Sequence, residues 1–100
     1  MMDNKTRRER ELAMIRHWIL QALFLTDPTP LPVKTLERTV HQHIKIWHAD
    51  LVAEVVADQF LVLEHANLVR KRQGAWALTD KGRADRREVA RFIAPPDGAA

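Results

Sequence analysis

The sequence predicts a small, mostly helical single domain that carries one β-hairpin. Apolar residues recur at three- and four-residue spacing in separate stretches, which is the pattern of helices that bury one face. Two short stretches that are expected to be extended, at residues 68–70 and 75–78, flank Gln73-Gly74, a pair that favours a two-residue hairpin turn. A chain of 100 residues fills one hydrophobic core with these elements and leaves no room for a second domain.

A first helix is predicted over residues 6–25. Arg7, Arg8, Glu9 and Arg16 fall outside its apolar stripe and are assigned to the remaining surface. The stripe consists of apolar residues at helical spacing, namely Leu12, Ile15, Trp18, Ile19, Ala22 and Leu23.

The apolar arc of this helix is wider than one core contact requires, because Leu20, Phe24 and Leu25 extend it on both sides. Either the domain wraps around the helix, or the excess apolar area forms the seam of a homodimer. The second interpretation predicts a homodimer with Leu12, Trp18, Leu20 and Phe24 at the interface. It also predicts that Leu20→Glu gives a folded monomer.

Asp27 and the proline-rich residues 28–32 end the first helix and keep the chain extended through Leu31 and Val33. A second helix is then predicted over residues 34–47. One side of this helix carries the residues expected to face the core, which are Leu36, Val40, Ile44 and Trp47.

A third helix is predicted over residues 51–66, with Asp50 as its capping residue. Asn67 stands where a residue in left-handed conformation would end this helix. The core-facing stripe of the third helix consists of Val52, Val55, Val56, Phe60 and Leu63.

After the hairpin, Thr79 is expected to cap a last helix over residues 80–93. Pro95 and Pro96 then prevent the helix from continuing. We therefore expect the domain to occupy residues 1–94, followed by a flexible polar tail at 95–100.

Residues 60–83 resemble the stretch of winged helix-turn-helix proteins that runs from the recognition helix through the wing. In that family a Leu-x-x-x-Gly-Leu-Val element enters the wing, and an aromatic-x-Leu-Thr-x-x-Gly element leaves it. In this chain the two elements read Leu63-Glu64-His65-Ala66-Asn67-Leu68-Val69 and Trp76-Ala77-Leu78-Thr79-Asp80-Lys81-Gly82. Asn67 replaces the glycine, and asparagine tolerates the same left-handed geometry. The chain resembles MarR-like and ArsR-like regulators and the small winged-helix proteins of Mu-like bacteriophages.

The resemblance implies a DNA-binding transcriptional regulator, whose third helix would enter the major groove. Charge argues against that docking here. Residues 48–68 contain four acidic residues and neither Lys nor Arg, so the third helix would bring carboxylates towards the phosphates. Its exposed side is expected to carry Glu54, Ala57, Asp58, Leu61 and His65.

Residues 69–91 contain eight basic and three acidic residues, and this stretch provides a better electrostatic footprint for duplex DNA. The expected DNA-binding residues are Arg70, Lys71 and Arg72 on the wing, with Arg83, Arg86 and Arg87 on the last helix. The alternative is an adaptor that does not bind DNA. It would bind another protein through the acidic and apolar surface of the third helix, with Leu61 at the interface.

Other classes of function find little support in the sequence. The chain has three glycines, no cysteine, no serine and no phosphate-binding loop, so we expect neither an enzyme nor a cofactor. His41 and His43 are two residues apart and point in different directions along a helix, so we expect no metal site. The longest apolar run, at residues 18–25, is too short to cross a membrane, and we expect a cytoplasmic protein.

Trp18, Trp47 and Trp76 are expected to be structural.

Overall fold

The computed structural model describes residues 4–44 and 49–94. Within these residues the chain forms five helices and three short strands, which confirms a mostly helical fold with a small sheet. The elements are α1 (Asn4–Thr26), β1 (Leu31–Pro32), α2 (Val33–His43), α3 (Ala49–His65), β2 (Val69–Arg72), β3 (Ala75–Leu78), α4 (Asp80–Ala84) and α5 (Arg86–Phe92). The second helix was expected to continue to residue 47, but α2 ends at His43, because Ile44 leaves the helical conformation with φ of −123° and ψ of 71°. The third helix begins at Ala49, so Asp50 lies inside it and does not precede it as the expected capping residue. Trp47 lies outside the described residues. The same holds for the tail at 95–100.

The three strands form one antiparallel sheet in the order β1-β3-β2. The short extended segment before α2 is therefore a sheet strand, because Leu31 pairs with Trp76 and Pro32 with Ala75. The hairpin turn is confirmed: Gln73 and Gly74 have φ angles of 52° and 77°, both in the left-handed region that a tight hairpin turn uses. Asn67, with φ of 63°, also adopts the expected left-handed conformation at the end of α3.

Helix α1 packs against α2, α3, β3 and α5, and these elements cover most of its wide apolar arc, whereas Leu25 at its end is 77% exposed. The prediction that Leu20 lies at a dimer seam is wrong, because its side chain is only 1% exposed in the core of its own chain. Leu20→Glu would place a carboxylate in that core and cannot leave the fold intact. Leu12, Trp18 and Phe24 are partly buried and pack against the same core. The homodimer stays a prediction, but the width of this arc no longer supports it.

Arg16 was expected to face solvent, because it lies outside the apolar stripe of α1. The structure places its side chain against other elements of the domain instead. Its guanidinium is partly buried and donates hydrogen bonds to the side-chain oxygen of Gln59 on α3 and to the carbonyl oxygen of Phe92. Gln59 is itself buried, and desolvation lowers the pKa of Arg16. These bonds connect α1 to α3 and to the end of α5.

The predicted last helix is in fact two helices, because Asp85 leaves the helical conformation with φ of −92° and ψ of 81°. The carboxylate of Asp85 accepts a hydrogen bond from the backbone N–H of Glu88 at 3.0 Å and caps α5. A hydrogen-bond acceptor followed three residues later by a glutamate is a known signal for the start of a helix, and Asp85 and Glu88 show this spacing in the sequence. Thr79 caps α4 as expected, since its hydroxyl accepts from the N–H of Gly82 at 2.9 Å.

Candidate functional site

Two cations of the hairpin stand on the outer face of the sheet. Arg70 pairs with Ala77 and Arg72 with Ala75, so small side chains lie opposite both guanidinium groups. Both arginines are exposed, and no hydrogen bond or ion pair from the described residues reaches their side chains. We call this surface, formed by Arg70 and Arg72, the hairpin face.

Lys71 lies on the opposite side of β2, because successive residues of a strand alternate between its faces. Its ammonium is 6.0 Å from the ring centre of Trp76, within range of a cation–π contact. Trp76 in turn stacks on Phe60 of α3, with ring centres 4.4 Å apart. The hairpin is thus anchored to α3 through an aromatic pair, and Lys71 has a structural contact that Arg70 and Arg72 lack.

The cations of α5 form a separate surface. Arg86 and Arg87 are exposed, whereas Arg91 lies 3.6 Å from the carboxylate of Glu88. Helix α5 packs mainly on α1 and α4, and the strands of the hairpin are not among its main neighbours in the described part of the chain. The structure therefore distributes the basic residues of 69–91 over β2, α4 and α5, and of these Arg70 and Arg83 line a common groove with Asp80.

Arg83 is engaged within the chain and is removed from the set of phosphate-binding candidates. Its guanidinium donates two hydrogen bonds of 2.7 Å to the carboxylate of Asp27 and a further one of 2.8 Å to Asp80. Hydrogen bonding to Asp27 raises the pKa of Arg83, so the group stays charged and its charge is balanced locally. Arg83 connects α4 to the segment that follows α1.

The Asp27–Arg83 pair gives the domain a predictable acid sensitivity. The hydrogen bond from Arg83 lowers the pKa of Asp27, so the pair stabilises the fold fully above the ordinary aspartate pKa of about 4. This stability is lost as the pH falls through the lowered pKa of the folded state. We expect the free energy of unfolding to drop more steeply below about pH 4 in the wild type than in Asp27→Asn. Urea unfolding across acid pH measures the difference.

Asp58→Asn is the matched control, since it removes one exposed carboxylate without touching Arg83. It should retain the steep acid limb of the wild type. Superimposable pH profiles for the wild type and Asp27→Asn would contradict a stabilising role for the pair.

The exposed side of α3 is as the sequence predicts. Val52, Val56 and Leu63 are buried, and the carboxylates face outwards. Leu61 is 61% exposed and Val62 38% exposed, and the domain exposes other single aliphatic side chains in the same way, such as Leu25. We call the α3 surface the set formed by Glu54, Ala57, Asp58, Leu61 and Val62.

Two further cations were missed by the sequence reasoning. Lys34 and Arg38 are exposed on α2 and line a shallow groove of about 290 Å³ with Glu37, His41 and Val52. Their spacing of four residues places them on one side of the helix, and that spacing was visible in the sequence. They lie beside the start of α3, where they could add phosphate contacts.

Two histidines of the described residues pack against the ring of Trp18. His17 meets the ring of Trp18 edge-on at 4.9 Å, and His43 stacks on the same ring at 3.7 Å. Burial, and to a lesser extent the nearby His43, lowers the pKa of His17. No group of three or more His, Asp or Glu side chains comes together in residues 4–44 and 49–94. Trp18 packs against the core as expected of a structural residue.

Among the described residues, no helix combines the length and the apolar character needed to cross a bilayer. The chain matches no protein-family model, no curated protein and no solved structure. The described part of the molecule thus offers an unpaired cationic hairpin face, an acidic and apolar α3 surface, and a basic α5.

Proposed function

We propose that the chain is a winged helix-turn-helix protein that binds duplex DNA through its hairpin wing and acts as a small transcriptional regulator of bacterial or phage type. The order of the elements supports the proposal, because two helices follow a short strand and precede a hairpin that completes the sheet. This is the layout that the resemblance of residues 60–83 implies.

The observation that carries the proposal is the hairpin face. Arg70 and Arg72 are two residues apart on one strand, so their Cα atoms are about 7 Å apart and their side chains point the same way. Neither guanidinium is neutralised by a carboxylate of the described residues. Cations that project from a hairpin in this way can follow a DNA backbone and release its counterions.

The proposal departs from the usual docking of the family at α3. Glu54 and Asp58 face outwards, and α3 carries neither Lys nor Arg to offset them. A helix with this charge is repelled by the phosphates that border the major groove. In this proposal the wing therefore makes the main DNA contact, either with the phosphate backbone or in a minor groove.

The test uses fluorescence anisotropy to measure the affinity for labelled DNA duplexes at a series of salt concentrations. Some duplexes have random sequence and others have defined sequences. Replacing Arg70 and Arg72 by Ala should weaken binding to every duplex. It should also reduce the slope of log K against log salt by about two, close to one unit for each lost phosphate contact. Glu54→Gln should leave affinity unchanged or raise it.

Arg86→Ala with Arg87→Ala is the matched control, because it removes the same charge from the separate surface of α5. Its effect should be smaller than that of the wing variant. A wild type that does not bind duplex DNA at about 50 mM salt would contradict the proposal. So would a Glu54→Gln variant that loses one preferred site while the wing variant binds normally, because α3 would then read bases.

A second candidate function is favoured by the exposure of Leu61 and Val62 on the α3 surface. In this alternative the domain is an adaptor that binds another protein there and does not bind DNA. Leu61→Arg would then abolish binding to a purified partner that the wild type retains, and the wing variant would have no effect.

A further inference from the structure

A groove of about 360 Å³ runs between α1 and α5. Its apolar lining comes from Leu20 and Phe24 on α1 and from Val89 and Ile93 on α5. Leu20 and Val89 are buried and form the floor, whereas Phe24 and Ile93 keep part of their surface exposed. The volume falls within the range of small-molecule sites, roughly 300 to 1,000 Å³.

The two helices that border the groove run antiparallel. Arg83, shortly before α5, donates hydrogen bonds of 2.7 Å to Asp27, which follows α1. At the other end, the N–H of Ala94, shortly after α5, donates to the carbonyl oxygen of Ala13 in α1 at 3.2 Å. The contacts on α1 therefore move towards its first residues as the chain proceeds along α5.

This direction separates the two ionisable groups that line the groove. Arg86 lies at the Phe24 end, and His17 lies at the opposite end, beside Ile93. His17 and Phe24 are seven residues apart, which is two helical turns or about 10 Å. The groove thus joins a guanidinium and an imidazole through an apolar stretch of about 10 Å.

Arg86 presents a charge that the described part of the chain leaves unbalanced. Its side chain is exposed, no ion pair joins it, and no carboxylate of the described residues lines the groove. The neighbouring carboxylates are engaged elsewhere, because Asp85 caps α5 and Glu88 lies 3.6 Å from Arg91. A ligand that fits this end of the groove must therefore bring an anion.

His17 gives the other end a hydrogen-bonding group without a partner. Its side chain is partly buried, and no hydrogen bond from the described residues reaches its ring nitrogens. Burial, and to a lesser extent His43, lowers its pKa, so the imidazole is neutral at neutral pH. A neutral imidazole can both donate and accept a hydrogen bond, so it suits a hydroxyl group rather than a second charge.

We propose that this groove binds an elongated carboxylic acid whose carboxylate pairs with Arg86 and whose apolar chain packs on Leu20 and Val89. A straight chain of about ten carbons spans the groove, since bonds of about 1.5 Å advance a zigzag chain by slightly less than their length. A hydroxyl group at the far end of that chain reaches His17. The ligand class is therefore a medium-chain fatty acid, and its ω-hydroxy form is the preferred member.

The experiment titrates decanoate and 10-hydroxydecanoate into the full chain, labelled with ¹⁵N, and follows the backbone amides by NMR. We expect the largest shifts in residues 17–24 and 86–93, with dissociation constants below about 1 mM. The hydroxy acid should bind about threefold more tightly or better, because it gains one hydrogen bond. Decanol and decyltrimethylammonium are the matched probes without a carboxylate, and both should bind more weakly than decanoate.

Two variants test the polar ends of the groove. Arg86→Gln should weaken decanoate binding at least about fivefold, because the charge-assisted bond to the carboxylate is lost. Arg87→Gln is the matched control, since Arg87 is equally exposed on α5 but does not line the groove, and it should bind like the wild type. His17→Phe should still bind decanoate and should lose the preference for the hydroxy acid.

Ala90→Leu tests the apolar stretch. Ala90 lines the groove and is exposed, so a leucine there fills the groove without entering the core. Neither fatty acid should then bind. Circular dichroism checks that the variant is folded, and Gln21→Phe, at another exposed lining position, replaces it if it is not.

Absence of shifts up to about 1 mM ligand overturns the inference. So does equal binding of decanol and decanoate, which would indicate an apolar surface without a carboxylate site, or a set of shifts centred on Leu61. A chain that self-associates and becomes monomeric in Ala90→Leu would assign the groove to a second copy instead. The inference does not rest on the proposed function, because no residue of the hairpin lines the groove, and the titration contains no DNA.

Discussion

Gly82→Ala is expected to destabilise the domain by about 3 kcal/mol, the upper end of the usual cost of overpacking a core. Gly82 is buried, and a Cβ atom added there would lie 2.0 Å from the carbonyl oxygen of Leu68. The obstacle is backbone, which cannot rotate away as a side chain can. Leu68 is also fixed on both sides: its oxygen accepts from the N–H of Thr79 at 3.1 Å, and its N–H donates to Leu63 at 3.0 Å.

Urea unfolding followed by circular dichroism measures this loss. Gly74→Ala is the matched control, because Gly74 has no atom within 4 Å of an added Cβ and only its φ of 77° opposes an alanine. We expect that control to lose about 1 kcal/mol, the cost of left-handed backbone for a residue with a side chain. A Gly82→Ala variant as stable as Gly74→Ala would show that Leu68 can move aside.

Trp76→Ala is expected to lower the free energy of unfolding by about 3 to 5 kcal/mol. Trp76 is only 5% exposed, stacks on Phe60 of α3 and pairs with Leu31 across the sheet. Its loss would open a cavity where α3 meets the sheet, so the yield of folded protein should fall before any specific contact is affected.

Trp76→Phe should lose less, because it keeps an aromatic ring against Phe60. Unfolding experiments on both variants, together with DNA binding at a temperature where each is folded, separate packing from recognition. A Trp76→Ala variant of wild-type stability that has lost only DNA binding would assign Trp76 to the DNA contact instead.

Local rules of the chain account for much of the fold. Gln73-Gly74 predicts the hairpin turn and Asn67 the end of α3, because each position needs a φ angle that few residues adopt. Thr79 predicts the start of α4, because its hydroxyl can accept from a free amide of the first turn. The outward direction of Glu54 and Leu61 follows from helical spacing alone. These features depend on residues a few positions apart, which is the range over which sequence patterns specify geometry.

The candidate site was predicted only in part, because charge in a sequence does not reveal which cations have partners. In the amino-acid sequence alone, the three arginines Arg70, Arg83 and Arg86 are equivalent candidates for phosphate binding. In the folded chain Arg83 binds Asp27, which is 56 residues away, whereas Arg70 has no partner among the described residues and Arg86 lies on the separate surface of α5. Only the docking of α4 beside the end of α1 makes the first distinction.

Tertiary packing also decided what covers α1. Residue spacing places Leu20 on the apolar arc of α1. The spacing does not show whether the same chain or a second copy buries Leu20. The structure places Leu20 inside the core, and it draws Arg16 inwards to Gln59 and to the carbonyl oxygen of Phe92. The sequence alone determined which faces of the helices are apolar, since this depends on residue spacing. Which elements meet those faces depends on contacts between residues far apart in the chain, and only the assembled core supplies them.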